Sequence, residues 1–318
     1  MNIVVTGSIA YDYIMSFPGR FRDHILPEQL DNLSLSFLVD SMKKQRGGTA
    51  ANIAYNLALL GERPCVMATA GQDFGEYRVW LEQHGVDTSA IKQYDDEFTS
   101  SFFVSTDLDQ KQIANFYTGA MARASELSFK QLNSAKPDLV IISPNDPQAM
   151  KAYALECKAL DIPYIYDPSQ QIVRLSDEDL RQGIDGSRML IVNDYEFEML
   201  RGRLHLAESD VLQRTQTLII TRGENGSTIA TPTDRVDVPP VLTEHQVDPT
   251  GVGDGYRAGL MKGMALGLPW EIAGRMGALA ATFVLEHMGP QGHTYTHAEF
   301  VQRYRAHFND SGALDKWE

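Results

Sequence analysis

The sequence has few cysteines and no long apolar run. Its 318 residues include two cysteines, which lie far apart and lack the spacing of metal ligands. No apolar stretch approaches the roughly 18 residues that a membrane-spanning helix needs, and the first residues lack the basic and apolar regions of a signal peptide. We therefore expect a protein of the reducing cytoplasm with no membrane association.

Basic residues are also scarce. The formal net charge at pH 7 is −14, and no run of Lys or Arg is long enough to form a basic stripe. These features argue against nucleic acid as a partner. An acidic protein can still bind a phosphorylated ligand where backbone amides, a local Arg or a divalent metal form the site.

Repeats, low-complexity tracts and flexible linkers are absent, so we expect a single domain over residues 1–318. Strand and helix patterns alternate along most of the chain, and the C-terminal part indicates two packed helices. The predicted strands are short apolar runs that end in turn residues: NIVVTG, CVMATA, DLVIIS, PYIYDPS, MLIVND and TLIITRG. This alternation predicts an α/β fold, with a three-layer α/β/α core, a mostly parallel central sheet and ligand chemistry at the carboxyl ends of its strands.

Two segments interrupt the alternation. Residues 11–46 carry mixed turn and strand patterns, with SLSFLVDSM as the strongest extended run, and residues 97–119 contain the predicted hairpin FTSSFFVSTDLDQKQIANFY. Together they predict a small β-sheet apart from the main one, which is a candidate lid. Sheets of this kind can pair through exposed edges.

Three glycines surround an acid in the stretch DPTGVGDGYRAG, residues 248–259, just before helix-forming residues. Glycine lets backbone approach a ligand closely, and a helix start offers unpaired amide donors. Gly251, Val252 and Gly253 could thus stabilise negative charge on a transferring phosphoryl group, with Asp254 as the base for a substrate hydroxyl. The pattern alone is equally compatible with a turn and helix cap. Since the helix dipole favours the ionised carboxylate, we expect Asp254 to be a weak base.

Two further patterns have a functional and a structural interpretation. In VNDYE, Asn193 and Glu196 have oxygens that suit a hydrated Mg²⁺, although the spacing alone favours a capping box at a helix start. Phe102 and Phe116 would face each other across the hairpin if its turn centres near Asp109. They would then hold a purine or form a small core within the lid.

Other motifs can be set aside. His293 and His297 have a spacing that could bind a metal, but Thr296 and Glu299 match a capping box, which argues against a zinc site. The chain contains no GxxxxGK[ST] motif, so it is not a P-loop enzyme. The first strand is not followed by a dinucleotide fingerprint, which argues against a Rossmann dehydrogenase.

The motif at residues 248–259 resembles the second signature of the ribokinase-like, or PfkB, carbohydrate kinases, and RGGTAANIAYNLALLG at residues 46–61 resembles the first. The resemblance covers essentially the whole chain. It sharpens toward the adenosine kinases of the actinobacterial type through segments that include TGSIAYDYIMSFPGRF, SLSFLVDSM, STDLDQKQIANFY and DPSQQ. This resemblance implies that a homodimer could form through the small sheet. Gly255 and Tyr256 depart from the usual Ala and Phe, and we expect Gly255 to loosen the helix start by about 1 kcal/mol.

The resemblance implies transfer of the γ-phosphoryl group of ATP to the 5′-hydroxyl of adenosine, which gives AMP and ADP. It makes Asp254 the catalytic base and the amides of residues 251–254 the anion hole. The positions that match the family's ATP and magnesium elements are Asn193, Glu196, Thr221, Gly223 and Gly226. Asn193 and Glu196 would hold Mg²⁺ through water, and K⁺ is an optional further cofactor. The segment LEHMGPQG, residues 285–292, falls where the family closes over the ATP base.

On the acceptor side, the resemblance implies a sugar pocket formed by Ser8, Asp12, Ser36, Gly48 and Asn52. It implies a purine pocket formed by Phe102, Phe116, Gln170 and Gln171, although the two glutamines could also be surface residues. One alternative is another nucleoside kinase or a ribose or fructose kinase of the same family, against which DPSQQ and the two phenylalanines argue. The other is a non-catalytic ligand sensor, against which the retained base and anion-hole glycines argue.

Overall fold

The strands and helices follow the alternation that the sequence predicts. A computed structural model provides the structure and describes residues 1–25, 34–132, 135–315 and 317. Within these ranges the strands are β1 (Ile3–Thr6), β2 (Ala10–Ser16), β3 (Ser41–Gly47), β4 (Cys65–Gly71), β5 (Ile91–Tyr94), β6 (Ser100–Thr106), β7 (Gln112–Tyr117), β8 (Leu139–Ile142), β9 (Tyr164–Tyr166), β10 (Met189–Asn193), β11 (Leu218–Thr221), β12 (Ser227–Ala230) and β13 (Arg235–Val238). The α-helices are α1 (Thr49–Leu59), α2 (Gly75–Gln83), α3 (Pro147–Ala159), α4 (Asp177–Ile184), α5 (Asp194–Leu204), α6 (Glu208–Leu212), α7 (Val252–Ala265), α8 (Trp270–Leu285) and α9 (His297–His307).

The central sheet has the strand order β13-β12-β11-β10-β9-β8-β1-β4-β5. Its pairs are parallel except for β11 with β12 and β12 with β13. Val4 of β1 pairs with Cys65 on one side and with Val140 on the other. The chain order therefore reverses at β1, which creates a topological switch point and a crevice at the carboxyl ends of the neighbouring strands.

Two apolar cores lie on opposite faces of this sheet, because successive side chains of a strand point to opposite sides. In β1, Ile3 and Val5 join the core that includes side chains of α1, α7 and α8, whereas Val4 joins the core that includes side chains of α3, α4 and α5. The predicted mostly parallel sheet between helices is confirmed, and all six predicted core strands are present. No helix in the described ranges is long and apolar enough to cross a membrane.

A second sheet has the order β3-β2-β6-β7, with β2 and β6 parallel and the other pairs antiparallel. This is the separate small sheet that the sequence predicts. The prediction for SLSFLVDSM is largely wrong, because residues 34–39 have no regular secondary structure and β3 begins at Ser41. The ring of Phe37 instead packs edge-on against Phe17 and Phe21. Residues 26–33, which belong to the predicted lid segment 11–46, lie outside the described ranges.

A stripe of glycines brings α7 and α8 into backbone contact. A Cβ at Gly259 would lie 2.4 Å from the carbonyl oxygen of Met276, and one at Gly263 would lie 2.5 Å from Cα of Ala273. A Cβ at Gly255 would lie 2.7 Å from Cγ2 of Val284. Gly255 therefore does more than loosen the helix start, since its missing side chain lets α8 pack against the first turn of α7.

We expect the two substitutions Gly259→Ala and Gly202→Ala to have opposite effects on stability. Gly259 has no room for a methyl group, so overpacking should lower the free energy of unfolding by about 1 to 3 kcal/mol. Gly202 lies exposed in α5 with open space around it, so Ala should raise the free energy by about 0.5 to 1 kcal/mol through helix propensity. Urea unfolding monitored by circular dichroism measures both values. Equal effects of the two variants would contradict the close packing of α7 on α8.

Candidate active site

The motif at residues 248–259 forms the start of α7, at the crevice beside the central sheet. Gly251 is the N-cap and has a φ of 81°, a conformation that glycine adopts at little cost. Helix α7 begins at Val252, so the amides of its first residues have no partner inside the helix. Asp254 lies in this first turn. The structure thus places the predicted base beside the predicted anion-binding amides.

A chain of hydrogen bonds orients Asp254. Asn52 donates from Nδ2 to Oδ2 of Asp254 at 2.9 Å. Gln291 in turn donates from Nε2 to Oδ1 of Asn52 at 3.0 Å and to the hydroxyl of Tyr77 at 2.5 Å. Because Oδ1 of Asn52 already accepts from Gln291, its amide nitrogen must face Asp254. The carboxylate of Asp254 keeps its other oxygen for a further partner.

Burial changes the acidity of Asp254 in the direction opposite to the expectation from the helix dipole. Loss of hydration raises its pKa from 3.8 to about 6, while the charge of Arg257 and the Asn52 hydrogen bond act in the opposite direction. The carboxyl group is therefore a stronger base than the sequence suggests. Because this pKa lies below 7, the Asp254 carboxyl group is still mostly ionised at neutral pH.

A cavity of about 190 Å³ opens directly at Asp254. It brings together predicted residues from distant parts of the sequence: Asn193, Glu196, Thr221, Gly251, Gly253 and Asp254. Asp167 and Arg257, which the sequence analysis did not select, also line it. The cavity thus combines a base, helix-terminal amides and one guanidinium group.

A larger cavity of about 680 Å³ extends from the same place along the loop after β11. Its lining includes the predicted nucleotide positions Thr221, Gly223 and Gly226, together with Asn193, Val252 and Gly253. Its volume lies in the range of small-molecule and cofactor sites. A further cavity of about 610 Å³, beside Arg63 and Arg78, contains none of the predicted residues.

Asn193 and Glu196 form the capping box that their spacing indicates. Oδ1 of Asn193 accepts from the amide of Glu196 at 2.7 Å, and Oε2 of Glu196 accepts from the amide of Asn193 at 2.8 Å. Both side chains nevertheless border the smaller cavity. No group of three His, Cys, Asp or Glu residues that could hold a metal occurs in the described part of the chain. Carboxylate and amide oxygens such as those of Asn193 and Glu196 suit a hydrated Mg²⁺ held through water.

Four of the predicted sugar-pocket residues lie in two stretches of the chain: Ser8 and Asp12 just after β1 and in β2, and Gly48 and Asn52 at the start of α1. Ser8 is buried, and its Oγ accepts from the amide of Thr49 at 3.1 Å. Gly48 has a φ of 93°, and a Cβ there would lie 2.5 Å from the carbonyl oxygen of Ser8. Burial, together with the charge of Asp248, raises the pKa of Asp12 to about 6. This corner joins the base through Asn52.

A row of side chains crosses the second sheet. Gln45 of β3 pairs with Asp12 of β2, Asp12 pairs with Phe102 of β6, and Phe102 pairs with Phe116 of β7. The predicted pairing of the two phenylalanines is confirmed. Phe116 is 48% exposed, and neither ring stacks on another aromatic ring in the described residues, so they do not form a closed small core. The row runs from a carboxylate to two available rings on one face of the sheet.

Several predicted residues lie outside these clusters. Ser36 is exposed in the stretch without regular structure. Gln170 is exposed and Gln171 is buried, and neither lines the two cavities at α7. Gln171 nevertheless carries a buried Oε1 that has no hydrogen-bond partner among the described residues.

The segment LEHMGPQG, residues 285–292, only partly follows its prediction. Leu285 lines the larger cavity. Pro290 instead packs against the N-cap of α7, where a Cβ on Gly251 would lie 2.4 Å from it. Gln291 joins the network behind the base. Pro290 and Gln291 therefore support the start of α7, because the chain passes behind Asp254 after α8 ends.

Sequence reasoning missed Asp167, Arg257 and Gln291. Arg257 stood inside the quoted motif, three residues after Asp254, a spacing that brings two helical side chains together. Asp167 stood inside DPSQQ at the end of a predicted strand, where polar residues often form sites. Nothing in the sequence identifies Gln291, since its contacts connect residues more than 200 positions apart.

The histidines follow the structural interpretation. Thr296 and Glu299 form a capping box at the start of α9, and His297 is its first residue. His293 lies buried before the helix and contacts Oδ1 of Asn56 through Nε2 at 2.8 Å. Burial lowers the pKa of His293 to about 4, so this ring is neutral at physiological pH.

Comparison with known proteins assigns a family to this arrangement. The family model of the pfkB family carbohydrate kinases matches residues 2–296. A nucleoside kinase from Methanocaldococcus jannaschii is 30% identical over 313 residues, which are 96% of this chain and 97% of the relative. The solved structure of that kinase, described as an archaeal member of the ribokinase family, superposes with a TM-score of 0.86.

A second relative with solved structures is the nucleoside kinase of Burkholderia thailandensis. Its complex with inosine has a TM-score of 0.85 and 36% identity, covering 96% of this chain and 98% of the relative. Its complex with ADP-inosine has a TM-score of 0.83 and 37% identity, with 96% of each chain covered. The fold described above is therefore the ribokinase-like fold.

We expect Asp254→Asn to stabilise the protein at pH 8. Asp254 has a higher pKa in the folded chain than the ordinary 3.8, so its ionisation above pH 6 opposes folding. A rise in pKa from 3.8 to about 6 corresponds to about 3 kcal/mol at most, and solvent in the neighbouring cavity reduces this value. We therefore expect the free energy of unfolding to increase by about 1 to 3 kcal/mol. The gain should shrink as the pH falls through 6. It should vanish below about pH 4, where the Asp254 carboxyl group is protonated in both the folded and the unfolded chain. Urea unfolding at pH 8 and pH 4 measures it, and a gain that does not depend on pH would contradict the raised pKa.

Proposed function

The chain belongs to the pfkB family of carbohydrate kinases, and on that premise we propose that it is a purine nucleoside kinase. It transfers the γ-phosphoryl group of ATP to the 5′-hydroxyl of adenosine, giving AMP and ADP. The relatives from M. jannaschii and B. thailandensis are nucleoside kinases. Inosine, which one of them binds, is the second substrate that we expect.

The observation that carries this proposal is the row Asp12, Phe102 and Phe116 across the second sheet. A carboxylate can accept hydrogen bonds from two ribose hydroxyls, and the neighbouring rings can stack on a planar base. A free sugar would use only the Asp12 end of the row. The two rings therefore favour a substrate that carries a base.

The position of Asp254 supports its role as the base. The 5′-hydroxyl gives its proton to the free carboxylate oxygen while its own oxygen bonds to the γ-phosphorus. The bond from that phosphorus to the bridging oxygen breaks, and its electron pair leaves with ADP. With a pKa of about 6, Asp254 is ionised at neutral pH and can accept this proton.

The start of α7 would stabilise the negative charge of the phosphoryl group during its transfer. The amides of residues 252–254 lie at a helix N-terminus, which favours anions. Mg²⁺ held through water by Asn193 and Glu196 would neutralise triphosphate charge when bound. Thr221, Gly223 and Gly226 border the larger cavity, where the rest of the nucleotide would lie.

Gln171 supports a purine with a hydrogen-bond donor on its edge. Its Oε1 is buried and has no hydrogen-bond partner among the described residues, and a buried acceptor without a donor costs free energy. The amino group of adenine and the N1–H of hypoxanthine are both donors. Oε1 of Gln171 can therefore accept a hydrogen bond from either purine, and for this reason we extend the proposal to inosine.

An acceptor panel tests the proposed function. Purified protein with ATP and Mg²⁺ should release ADP with adenosine and inosine, with far less release for ribose and fructose. Identification of AMP or IMP by mass spectrometry shows that the acceptor was phosphorylated. Preference for a free sugar would replace the proposal by a sugar kinase, and no transfer to any acceptor would favour a ligand sensor.

We expect Asp254→Asn to lower the turnover number by 100-fold or more with adenosine affinity nearly unchanged. A general base contributes about 10²- to 10⁴-fold, and the amide retains the shape of the side chain. In the wild type, kcat/KM should rise with pH through about 6, because only the ionised carboxylate accepts a proton. Asp12→Asn is the control, since Asp12 titrates in the same range but should leave this rise in place. Near-normal turnover of Asp254→Asn would remove Asp254 from the mechanism.

We expect Phe102→Ala and Phe116→Ala to weaken adenosine binding by roughly 5- to 150-fold. Stacking of a base on an aromatic ring is worth about 1 to 3 kcal/mol, and ribose should lose much less. Asp12→Ala should instead weaken both ligands, because its contact is with the sugar. Isothermal titration calorimetry measures these affinities.

Phe103→Ala is the matched control for these variants. Phe103 follows Phe102 on the opposite face of β6, where it stacks on Tyr13 with ring centres 4.7 Å apart. We expect its loss to leave adenosine affinity unchanged. If both row variants keep the wild-type affinity while remaining folded, the purine pocket lies elsewhere.

A further inference from the structure

A buried ion pair forms one wall of the cavity at Asp254. Nη2 of Arg257 donates to Oδ1 of Asp167 at 2.6 Å, and Nε of Arg257 lies 2.5 Å from Oδ2. The side chains are 10% and 1% exposed. Burial raises the pKa of Asp167, and the guanidinium opposes this. Burial acts to lower the pKa of Arg257, but the nearby carboxylates, Asp167 foremost, raise it above its ordinary value. The pair is ionised at neutral pH.

The remaining edge of this guanidinium faces the start of α7. Nη1 of Arg257 makes no hydrogen bond within the part of the chain that the structure describes. A Cβ on Gly253 would lie 2.7 Å from Nη1, so glycine at this position makes room for the guanidinium. Helical side chains tilt toward the N-terminus, which brings Arg257 level with the amides one turn earlier.

The charges around the cavity make this edge important for a phosphoryl group. Among the residues that the structure describes, the lining contains three carboxylates, Asp167, Glu196 and Asp254, and one basic side chain, Arg257. A polyanion that enters would meet a net negative wall apart from the helix amides and any bound metal. Asp167 holds two nitrogens of the guanidinium and leaves the third available.

We propose that Arg257 is a catalytic residue whose Nη1 binds the phosphoryl group during transfer, and that Asp167 is the residue that positions it. The inference rests on the proposed kinase function. The guanidinium exchanges no proton: the hydroxyl proton goes to Asp254, the new O5′–P bond forms, and the electron pair of the broken P–O bond leaves with ADP. Arg257 stabilises the equatorial oxygens of the phosphoryl group, next to the amides of α7.

The test compares the single variant Asp167→Asn with the double variant Asp167→Asn/Arg257→Gln. The single variant leaves a buried guanidinium without its carboxylate, so it should be the less stable of the two. It still retains the cation, so it should keep more turnover. The double variant removes both charges and should be more stable, yet its turnover number should be 100- to 1000-fold below that of the wild type. The two variants should thus rank in opposite order for stability and for turnover.

A binding measurement provides a readout independent of turnover. ADP, Mg²⁺, fluoroaluminate and adenosine together imitate the transferring phosphoryl group. The double variant should bind this combination at least 100-fold more weakly than the wild type. Its affinities for adenosine alone and for ADP alone should change less than about 3-fold, because Nη1 contacts the phosphoryl group that is being transferred.

A second ion pair, between Lys262 of α7 and the partly buried Glu62 after α1, provides the control. Nζ of Lys262 lies 2.7 Å from Oε1 of Glu62, with side chains 6% and 12% exposed, and neither residue lines the cavity. The double variant Glu62→Gln/Lys262→Met should therefore lose stability without loss of turnover beyond about 2-fold.

The outcomes separate this inference from the proposed function. If turnover of the Asp167 and Arg257 variants follows their thermal stability, or if the double variant keeps wild-type turnover and fluoroaluminate affinity, the pair is structural and the inference is wrong. Turnover of the wild type with adenosine would leave the kinase function standing in that case. A wild type that transfers no phosphoryl group to any acceptor would instead remove the proposed function itself.

Discussion

The site depends on keeping one carboxylate ionised in surroundings that disfavour its charge. Asp254 must lie inside a cleft that protein atoms largely enclose, because water there would compete with a substrate hydroxyl. The same enclosure raises its pKa to about 6. The start of α7, the amide of Asn52 and the charge of Arg257 all act in the opposite direction. These groups come from two distant parts of the sequence, α1 and the first turns of α7, and the fold brings them together around one side chain.

The two sheets divide the work between them. At one end of the central sheet, strand β11 and helices α5, α7 and α8 contribute residues to the two cavities where we propose that the phosphates bind. The second sheet presents a carboxylate and two rings in one row, and it contains none of the residues that line those cavities. In the proposed function, recognition of the acceptor and stabilisation of the transferred charge therefore rest on different elements. Asn52 is one residue at which they meet, since it lies between the predicted sugar pocket and Asp254.

The sequence predicts what local chemistry determines and misses what distant contacts determine. Continuous apolar strands and turn residues were sufficient for the central sheet, and the alternation of side chains was sufficient for the pairing of Phe102 with Phe116. The run SLSFLVDSM shows the limit, because an extended pattern cannot show that Phe37 has two aromatic partners elsewhere. The acidity of Asp254 was judged from the helix dipole alone, since burial becomes visible only in three dimensions. Gln291 was missed for the same reason.

The close contact between α7 and α8 also indicates where this protein can acquire new specificity. With glycines at positions 255, 259 and 263, α7 packs so closely on α8 that a larger residue at any of these positions would collide with α8. Substitutions at these positions therefore cannot change the orientation of α7 in small steps. The exposed strand β7 has no such restriction. A mutant library that varies β6 and β7 and spares these glycines would search for new acceptors without moving the residues that transfer the phosphoryl group.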